Sequence, residues 1–165
     1  MKVKRLLVIL TVLLITAVSA NAQNRYSADV DFGYTLSLKK WGLETNDRIH
    51  MTTTHGVMFD EKLFVGGGVG VEYAYDSEFW MLPLYSNVKG FLAVSNKTSL
   101  FASVDLGYLI YLSEYSEDDA FYFCPAVGVK VGKLKLQAGY SLLSDKITFG
   151  GMQFKVGFIF EIKKH

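Results

Sequence analysis

The sequence predicts an all-β fold, namely an eight-stranded antiparallel up-and-down transmembrane β-barrel that follows a cleaved signal peptide. Three observations predict this fold. Apolar and polar residues alternate over eight segments, each long enough for the roughly 9–11 residues that a tilted strand needs to cross a membrane. The 165 residues include 15 glycines but only two prolines, as expected of many strands joined by turns. The chain also opens with the charged, apolar and small-residue order of a secretion signal.

The signal peptide is predicted over residues 1–22. Basic residues at positions 2, 4 and 5 precede an apolar run from Leu6 to Val18, and small residues follow at Ala20-Asn21-Ala22. This run is shorter than the roughly 20 residues of a membrane-spanning helix, which disfavours the alternative of a transmembrane anchor. Residues 23–165 then form one barrel domain.

The eight predicted strands follow one another without a domain boundary. Their bounds are Tyr26–Leu38, Arg48–Phe59, Leu63–Tyr75, Trp80–Val94, Ser99–Leu112, Phe121–Val131, Leu134–Leu143 and Gly151–Ile162. The second strand is the least regular, because residues 52–55 obscure its two faces, and its pattern would accommodate a bulge there. Pro83 and Pro125 each remove a ladder donor, which places both near the outer rim.

An even number of strands returns both termini to the same side, the periplasm in a bacterial outer membrane. Connections 60–62, 95–98 and 132–133 then face the periplasm, and the longer connections 39–47, 76–79, 113–120 and 144–149 face outward. Two aromatic girdles are predicted: an outer one of Tyr73, Tyr75, Trp80, Phe121 and Phe123, and an inner one of Tyr26, Phe59, Phe158 and Phe160.

The pattern resembles the small eight-stranded outer-membrane barrels, including OmpX-like proteins, the transmembrane domain of OmpA and barrel-only porin-like proteins. The most specific match is in the last strand, where Lys155, Gly157, Phe160 and Ile162 are similar to the signal that the barrel-assembly machinery reads. The resemblance implies an integral outer-membrane protein. Its expected partners are that machinery during biogenesis, and outer-membrane lipid and lipopolysaccharide afterwards.

Charged residues of both signs fall on the predicted inward faces. They are Asp29, Asp31, Glu72, Lys89, Asp105, Lys130, Lys135, Lys155 and Glu161. An eight-stranded barrel is only wide enough to be filled by its own side chains, and charges buried there must find partners. We therefore expect a salt-bridged polar plug, with a narrow ion pathway as the alternative.

The predicted function is a structural or surface-interaction role in the outer membrane. One alternative is a lipid A-modifying enzyme, in which His50, Asp76 and Ser77 near the outer rim provide the base, acid and hydroxyl of an acyl-transfer site. The other is a soluble lipocalin-like carrier. The carrier is disfavoured because the polar faces are rich in glycine, whereas a soluble barrel needs a charge-rich exterior.

Composition argues against other classes of protein. Removing the three basic residues of the signal peptide from the 17 Lys and Arg leaves 14, against 16 Asp and Glu, which does not favour nucleic-acid binding. Cys124 is the single cysteine, so no internal disulfide forms, and we expect it to be a small packing residue.

No cofactor or metal is expected, because the three histidines, His50, His55 and His165, lack the spacing of a closed metal site. An acidic run in the connection between the fifth and sixth strands could attract divalent cations, although a solvated run of charge is the simpler interpretation. Its residues are Glu114, Glu117, Asp118 and Asp119.

Overall fold

The computed structural model describes residues 25–37, 47–75, 78–112, 120–144 and 148–162. They form β1 (Arg25–Ser37), β2 (Arg48–Phe59), β3 (Leu63–Ala74), β4 (Phe79–Ala93), β5 (Thr98–Tyr111), β6 (Ala120–Val131), β7 (Leu134–Ser144) and β8 (Thr148–Ile162). Each strand pairs antiparallel with the next, and β1 pairs with β8, which closes the barrel. The predicted eight-stranded antiparallel barrel is confirmed. No helix among the described residues is long and apolar enough to span a membrane.

Strand ends differ from the predicted ones by at most three residues, and β2 has the predicted bounds. Strand β2 has no bulge, because the register of β2 with β1 and β3 runs without interruption. The polar residues there keep the alternation, with Thr52 and Thr54 buried inside and Thr53 and His55 on the exterior. The predicted signal peptide lies outside the described residues.

The two prolines interrupt the sheet locally. Pairing is missing between Gly70-Val71 and Leu82-Pro83, and again between Cys124-Pro125 and Tyr140-Ser141. On the other side of each proline the ladder continues, where Pro83 pairs with Leu109 and Pro125 with Val104. A proline has no backbone N–H, so one of its two ladders must lose a donor.

The barrel is staggered, which sets the tilt of its strands. Following paired residues once around the wall leads from Arg25 back to Thr35, ten positions further along β1. We call the end where β1 begins and β8 finishes the terminal end, and the other the opposite end. Such a stagger tilts the strands and fixes which inward side chains from distant strands meet.

Tight turns join strands at the terminal end. Asp60 and Glu61 have φ angles of 48° and 59°, and Lys62 N–H donates to the Phe59 carbonyl at 2.9 Å. Two consecutive left-handed residues match the right-handed twist of a hairpin. Between β6 and β7, Gly132 takes the left-handed position, with φ at 60°, where a glycine has no steric penalty.

The exterior of the wall is apolar. Large side chains remain exposed along all eight strands, for example Phe32 at 55%, Leu84 at 47% and Phe158 at 50%. Aromatic rings of the predicted outer girdle meet at the opposite end, where the Tyr73 and Trp80 ring centroids are 4.9 Å apart.

Candidate functional site

The interior of the barrel collects the charged side chains of the described strands. Eight charged residues are buried there: Asp29, Asp31, Arg48, Glu72, Lys89, Asp105, Lys135 and Lys155. Four are acidic and four are basic, so their formal charges cancel. The alternation of each strand directs these side chains inward, while the stagger determines which of them meet.

The terminal half of the interior contains a cluster around Asp29. This carboxylate accepts hydrogen bonds from the ammonium groups of Lys89 and Lys135, the second at 2.6 Å. Lys135, which is fully buried, also donates to Asp31 at 2.9 Å. Lys89 Nζ lies 4.6 Å from the centre of the Phe64 ring. We call Asp29, Asp31, Lys89 and Lys135 the Asp29 cluster; it joins β1, β4 and β7 across the lumen.

A second pair lies further along the interior. Lys155 of β8 lies 3.3 Å from the carboxylate of Asp105 on β5, and Asn87 also donates to that carboxylate. The hydroxyl of Tyr85 is 3.0 Å from that of Thr54. The Lys155–Asp105 and Tyr85–Thr54 contacts join strands that are not neighbours in the sheet, so side chains extend across the middle of the lumen.

A further buried ion pair lies toward the opposite end. Arg48 donates to Glu72 and to the Ser141 hydroxyl, each at 3.1 Å. Beside it, the Gln153 amide group is 3.4 Å from both Thr35 Oγ1 and the Tyr122 hydroxyl. Polar side chains therefore line part of the wall at this end as well.

The remaining two predicted interior residues form a pair closer to solvent. Lys130 donates to Glu161 at the terminal end, where the two side chains are 20% and 26% exposed. The structure thus places all nine predicted residues on the inward face, but it separates this rim pair from the seven that are buried.

An apolar cluster fills the rest of the opposite half, and sequence reasoning missed it. Its buried members are Ala74, Met81, Tyr85, Leu109, Ala120, Tyr122, Cys124 and Leu143, with Phe79 and Tyr111 packed against them. The signal was present in the alternation, since these residues occupy inward positions of β3 to β7. Cys124 is buried in this cluster, and its thiol lies 3.3 Å from the Gln153 side-chain oxygen.

Of the three residues predicted for an acyl-transfer site at the outer rim, the structure describes only His50. His50 points into the barrel and is 4% exposed, and its ring occupies the space over Gly33, where a Cβ would overlap it. Asp76 and Ser77 lie outside the described residues. A histidine enclosed by the wall cannot reach a lipid on the exterior, so no observation favours an enzyme built on His50.

The other predicted sites can be placed only in part. Lys155 and Gly157 of the assembly signal face inward, whereas Phe160 and Ile162 face outward and are 50% and 63% exposed. The acidic run at positions 114–119 lies outside the described residues. Within the described part of the chain, no three His, Cys, Asp or Glu side chains are grouped to hold a metal ion.

Comparison with known proteins gives a likeness in structure only. No protein-family model matches the chain, and no curated protein matches it in sequence. The crystal structure of the outer membrane enzyme PagL superposes with a TM-score of 0.64 at 10% identity, covering 79% of this chain and 98% of PagL.

Two further solved structures share the architecture. The N-terminal β-barrel domain of Pseudomonas aeruginosa OprF matches with a TM-score of 0.53 at 9% identity over 84% of this chain and 100% of that domain. Neisserial surface protein A matches with a TM-score of 0.52 at 13% identity over 82% of this chain and 96% of its own. The chain therefore has the fold of small outer-membrane β-barrels.

Proposed function

We propose that this chain is an integral protein of the bacterial outer membrane, with a structural or surface-interaction role and a lumen closed by its own side chains. The observation that carries the proposal is the contrast between the two faces of one wall. Large apolar side chains are exposed outside, while eight charged residues are buried inside. This arrangement suits a barrel surrounded by lipid, because lipid receives apolar surface at no cost and the charges remain paired.

The same contrast argues against a soluble lipocalin-like carrier. A soluble barrel presents polar side chains to water and encloses an apolar ligand pocket. Here the exterior includes Phe32, Leu84, Trp80 and Phe158 at 47–55% exposure, while the Asp29 cluster crosses the interior.

The contacts between interior side chains support a closed lumen. The four acidic and four basic buried residues balance in charge, and the apolar cluster packs beside them at the opposite end. Buried charges that are satisfied by one another offer no net field to select an ion. We therefore expect no steady conductance from the purified protein in planar bilayers.

The orientation follows from the connections. The start of β1, the end of β8 and the tight turns at Asp60-Glu61 and Gly132-Lys133 lie at one end, and small outer-membrane barrels keep their short turns in the periplasm. We assign the terminal end to the periplasm and the opposite end to the cell surface, in contact with lipopolysaccharide. We also propose that the barrel-assembly machinery recognises the assembly signal in β8, and that the protein is related to the OmpX-like barrels.

The test is cell fractionation combined with electrophoresis of unboiled and boiled samples. We expect the protein in the outer-membrane fraction, with a band that shifts on boiling. A Val104→Lys variant puts a charge on the exterior, where a lysine at the bilayer midplane costs about 2–4 kcal/mol, so the inserted, heat-shifting fraction should fall.

A matched control adds the same charge at an exposed turn, as Asn96→Lys. This variant should fractionate like the parent protein. A soluble, non-shifting parent, or a Val104→Lys variant that behaves like Asn96→Lys, would refute the membrane proposal and favour the carrier.

A further inference from the structure

The exterior wall has one polar patch. Apart from tyrosines and residues at strand ends, the outward positions of the described strands are apolar except at Thr53, His55 and Ser86. Tyr26 joins them, because its hydroxyl is 2.5 Å from His55 Nδ1. We call Tyr26, Thr53, His55 and Ser86 the polar patch. A histidine on a lipid-facing wall is costly and is a functional candidate by default.

The register places a small residue on each side of His55. This residue pairs with Ala28 of β1 and with Gly67 of β3, and Gly67 in turn pairs with Ser86 of β4. A Cβ at Gly67 would have only the Tyr85 carbonyl oxygen within 4 Å, at 3.7 Å. Valines at positions 65 and 69 flank this glycine along β3. The missing side chain at Gly67 leaves a gap one side chain wide in the outer face of β3, which we call the trough; it suits an acyl chain better than a strand or a helix.

The hydrogen bonds of the patch have a fixed direction. Thr53 Oγ1 lies 3.1 Å from the Asp29 backbone carbonyl, which can only accept, so Thr53 donates its single proton there. His55 Nε2 lies 2.9 Å from Thr53 Oγ1 and must then donate its proton to that hydroxyl oxygen. His55 Nδ1 is left as the acceptor, and the Tyr26 hydroxyl donates to it.

This direction decides what the patch can offer to a ligand. The hydrogen bonds run from Tyr26 through His55 and Thr53 to the Asp29 carbonyl, and they use every side-chain proton in that series. The hydroxyl oxygens of Tyr26 and Thr53 keep lone pairs that can accept further hydrogen bonds. Because the Thr53 proton points to a carbonyl and away from His55, the arrangement is not that of an activated nucleophile. The Tyr26 and Thr53 oxygens therefore present acceptors, and the Ser86 hydroxyl, which can donate or accept, lies further along the same row.

Resting on the proposed membrane location, we propose that the polar patch binds a membrane lipid with an amide N–H and a hydroxyl next to its acyl chains, that is, a ceramide-type lipid. Such a lipid supplies the donors that the patch needs. A diacyl phospholipid offers only ester acceptors at that depth, and these would face the acceptors of Tyr26 and Thr53. Tyr26 is the second residue of β1, which places the site near the membrane interface at the terminal end.

The test uses the full chain in phosphatidylcholine nanodiscs that contain either a diazirine-labelled ceramide or a diacyl phosphatidylcholine with the same labelled chain. After irradiation, we expect ceramide to label peptides from β2, β3 and β4 more strongly than the phosphatidylcholine probe does. A Gly67→Val variant fills the trough with the side chain that both neighbouring outward positions of β3 carry. It should reduce the ceramide preference about threefold to tenfold, as expected for loss of about one hydrogen bond and its contacts.

Gly90→Val is the matched control. Gly90 is also an outward glycine, and a Cβ there would have nothing within 4 Å, so the ceramide preference should be unchanged. A Thr53→Val variant, which removes an acceptor, should weaken labelling by a similar factor to Gly67→Val. If that variant does not fold, the comparison of the two glycine variants still decides.

The outcomes separate this inference from the proposed function. A wild-type protein that neither enters nanodiscs nor shifts on boiling would refute the membrane location itself. A heat-shifting barrel labelled equally by both probes, or a Gly67→Val variant labelled like Gly90→Val, would overturn the ceramide site alone. Cross-linked dimers joined through β2 and β3 would also overturn it, because a second copy would then occupy the patch.

Discussion

The two halves of the interior are filled differently, mainly by ion pairs in the terminal half and mainly by apolar side chains in the opposite half. In the terminal half, the carboxylate of Asp29 on β1 binds two buried lysines, one from β4 and one from β7. In the opposite half, Met81, Leu109 and Leu143 pack with aromatic rings in the apolar cluster. An ionic cluster fails sharply when one partner is lost, because a buried charge remains unpaired. An apolar cluster fails in proportion to the volume removed.

The sharpest test of this comparison is Asp29→Asn. The change keeps the shape of the side chain but leaves Lys89 and Lys135 without their shared charge, and we expect a loss of about 3–5 kcal/mol in the free energy of unfolding. Urea unfolding of the protein in lipid vesicles, followed by the loss of the heat-shifted band, measures it.

Glu161→Gln is the control, because its partner Lys130 is partly exposed at the rim and such pairs contribute at most about 1 kcal/mol. If both variants lose the same free energy of unfolding, the Asp29 cluster does not stabilise the barrel as a buried ion pair would.

The apolar half should respond less sharply. Leu109 is fully buried, and Leu109→Ala should cost about 2–4 kcal/mol through lost burial and the cavity left behind. Leu106 of the same strand faces outward at 43% exposure, where lipid can fill the space, so Leu106→Ala should cost far less. The same urea titration compares them, and similar losses would contradict a packed apolar interior.

The comparison also shows what sequence could and could not supply. Strict alternation was enough to predict eight strands and to assign Asp29, Lys89 and Lys135 to the inside. The partners could not be predicted, because they depend on the stagger, which brings residues from β1, β4 and β7 together. The apolar cluster was missed, although Met81 and Leu109 occupy inward positions equivalent to those of the charged residues.

The exterior patch was missed for the same physical reason. His55 and Thr53 share one face of β2, which the sequence reveals, whereas the contact of His55 with Tyr26 needs the register between β1 and β2. The threonine-rich stretch that blurred the faces of β2 instead divides cleanly between the two, with Thr54 inside and Thr53 outside.

Two adjacent glycines test the packing of the two faces on a smaller scale. A Cβ at Gly68 would overlap the inward Tyr85 ring, so Gly68→Ala should cost about 1–3 kcal/mol by overpacking. Gly67 faces outward into open space, and Gly67→Ala should change stability by no more than about 0.5 kcal/mol. Urea unfolding in vesicles distinguishes them, and a neutral Gly68→Ala would show that the Tyr85 ring is free to move.

The smallest effect is expected when the Arg48–Glu72 ion pair, which adjoins the apolar cluster, is replaced by apolar side chains. Glu72 of the Arg48 pair is directly cross-strand from Met81, a member of that cluster. Replacing both charges, as Arg48→Met with Glu72→Leu, extends the apolar filling and leaves no buried charge unpaired. The double variant should therefore lie within about 1 kcal/mol of the parent, whereas Glu72→Leu alone should lose about 3–5 kcal/mol.

The four-member cycle of parent, two single variants and double variant gives the coupling between the two charges in the same unfolding assay. If the double variant is as unstable as Glu72→Leu alone, the pair supplies a geometry that apolar side chains cannot replace. In that case the opposite half would depend on its ion pair as strongly as the terminal half depends on Asp29, and the contrast between the two fillings would no longer hold.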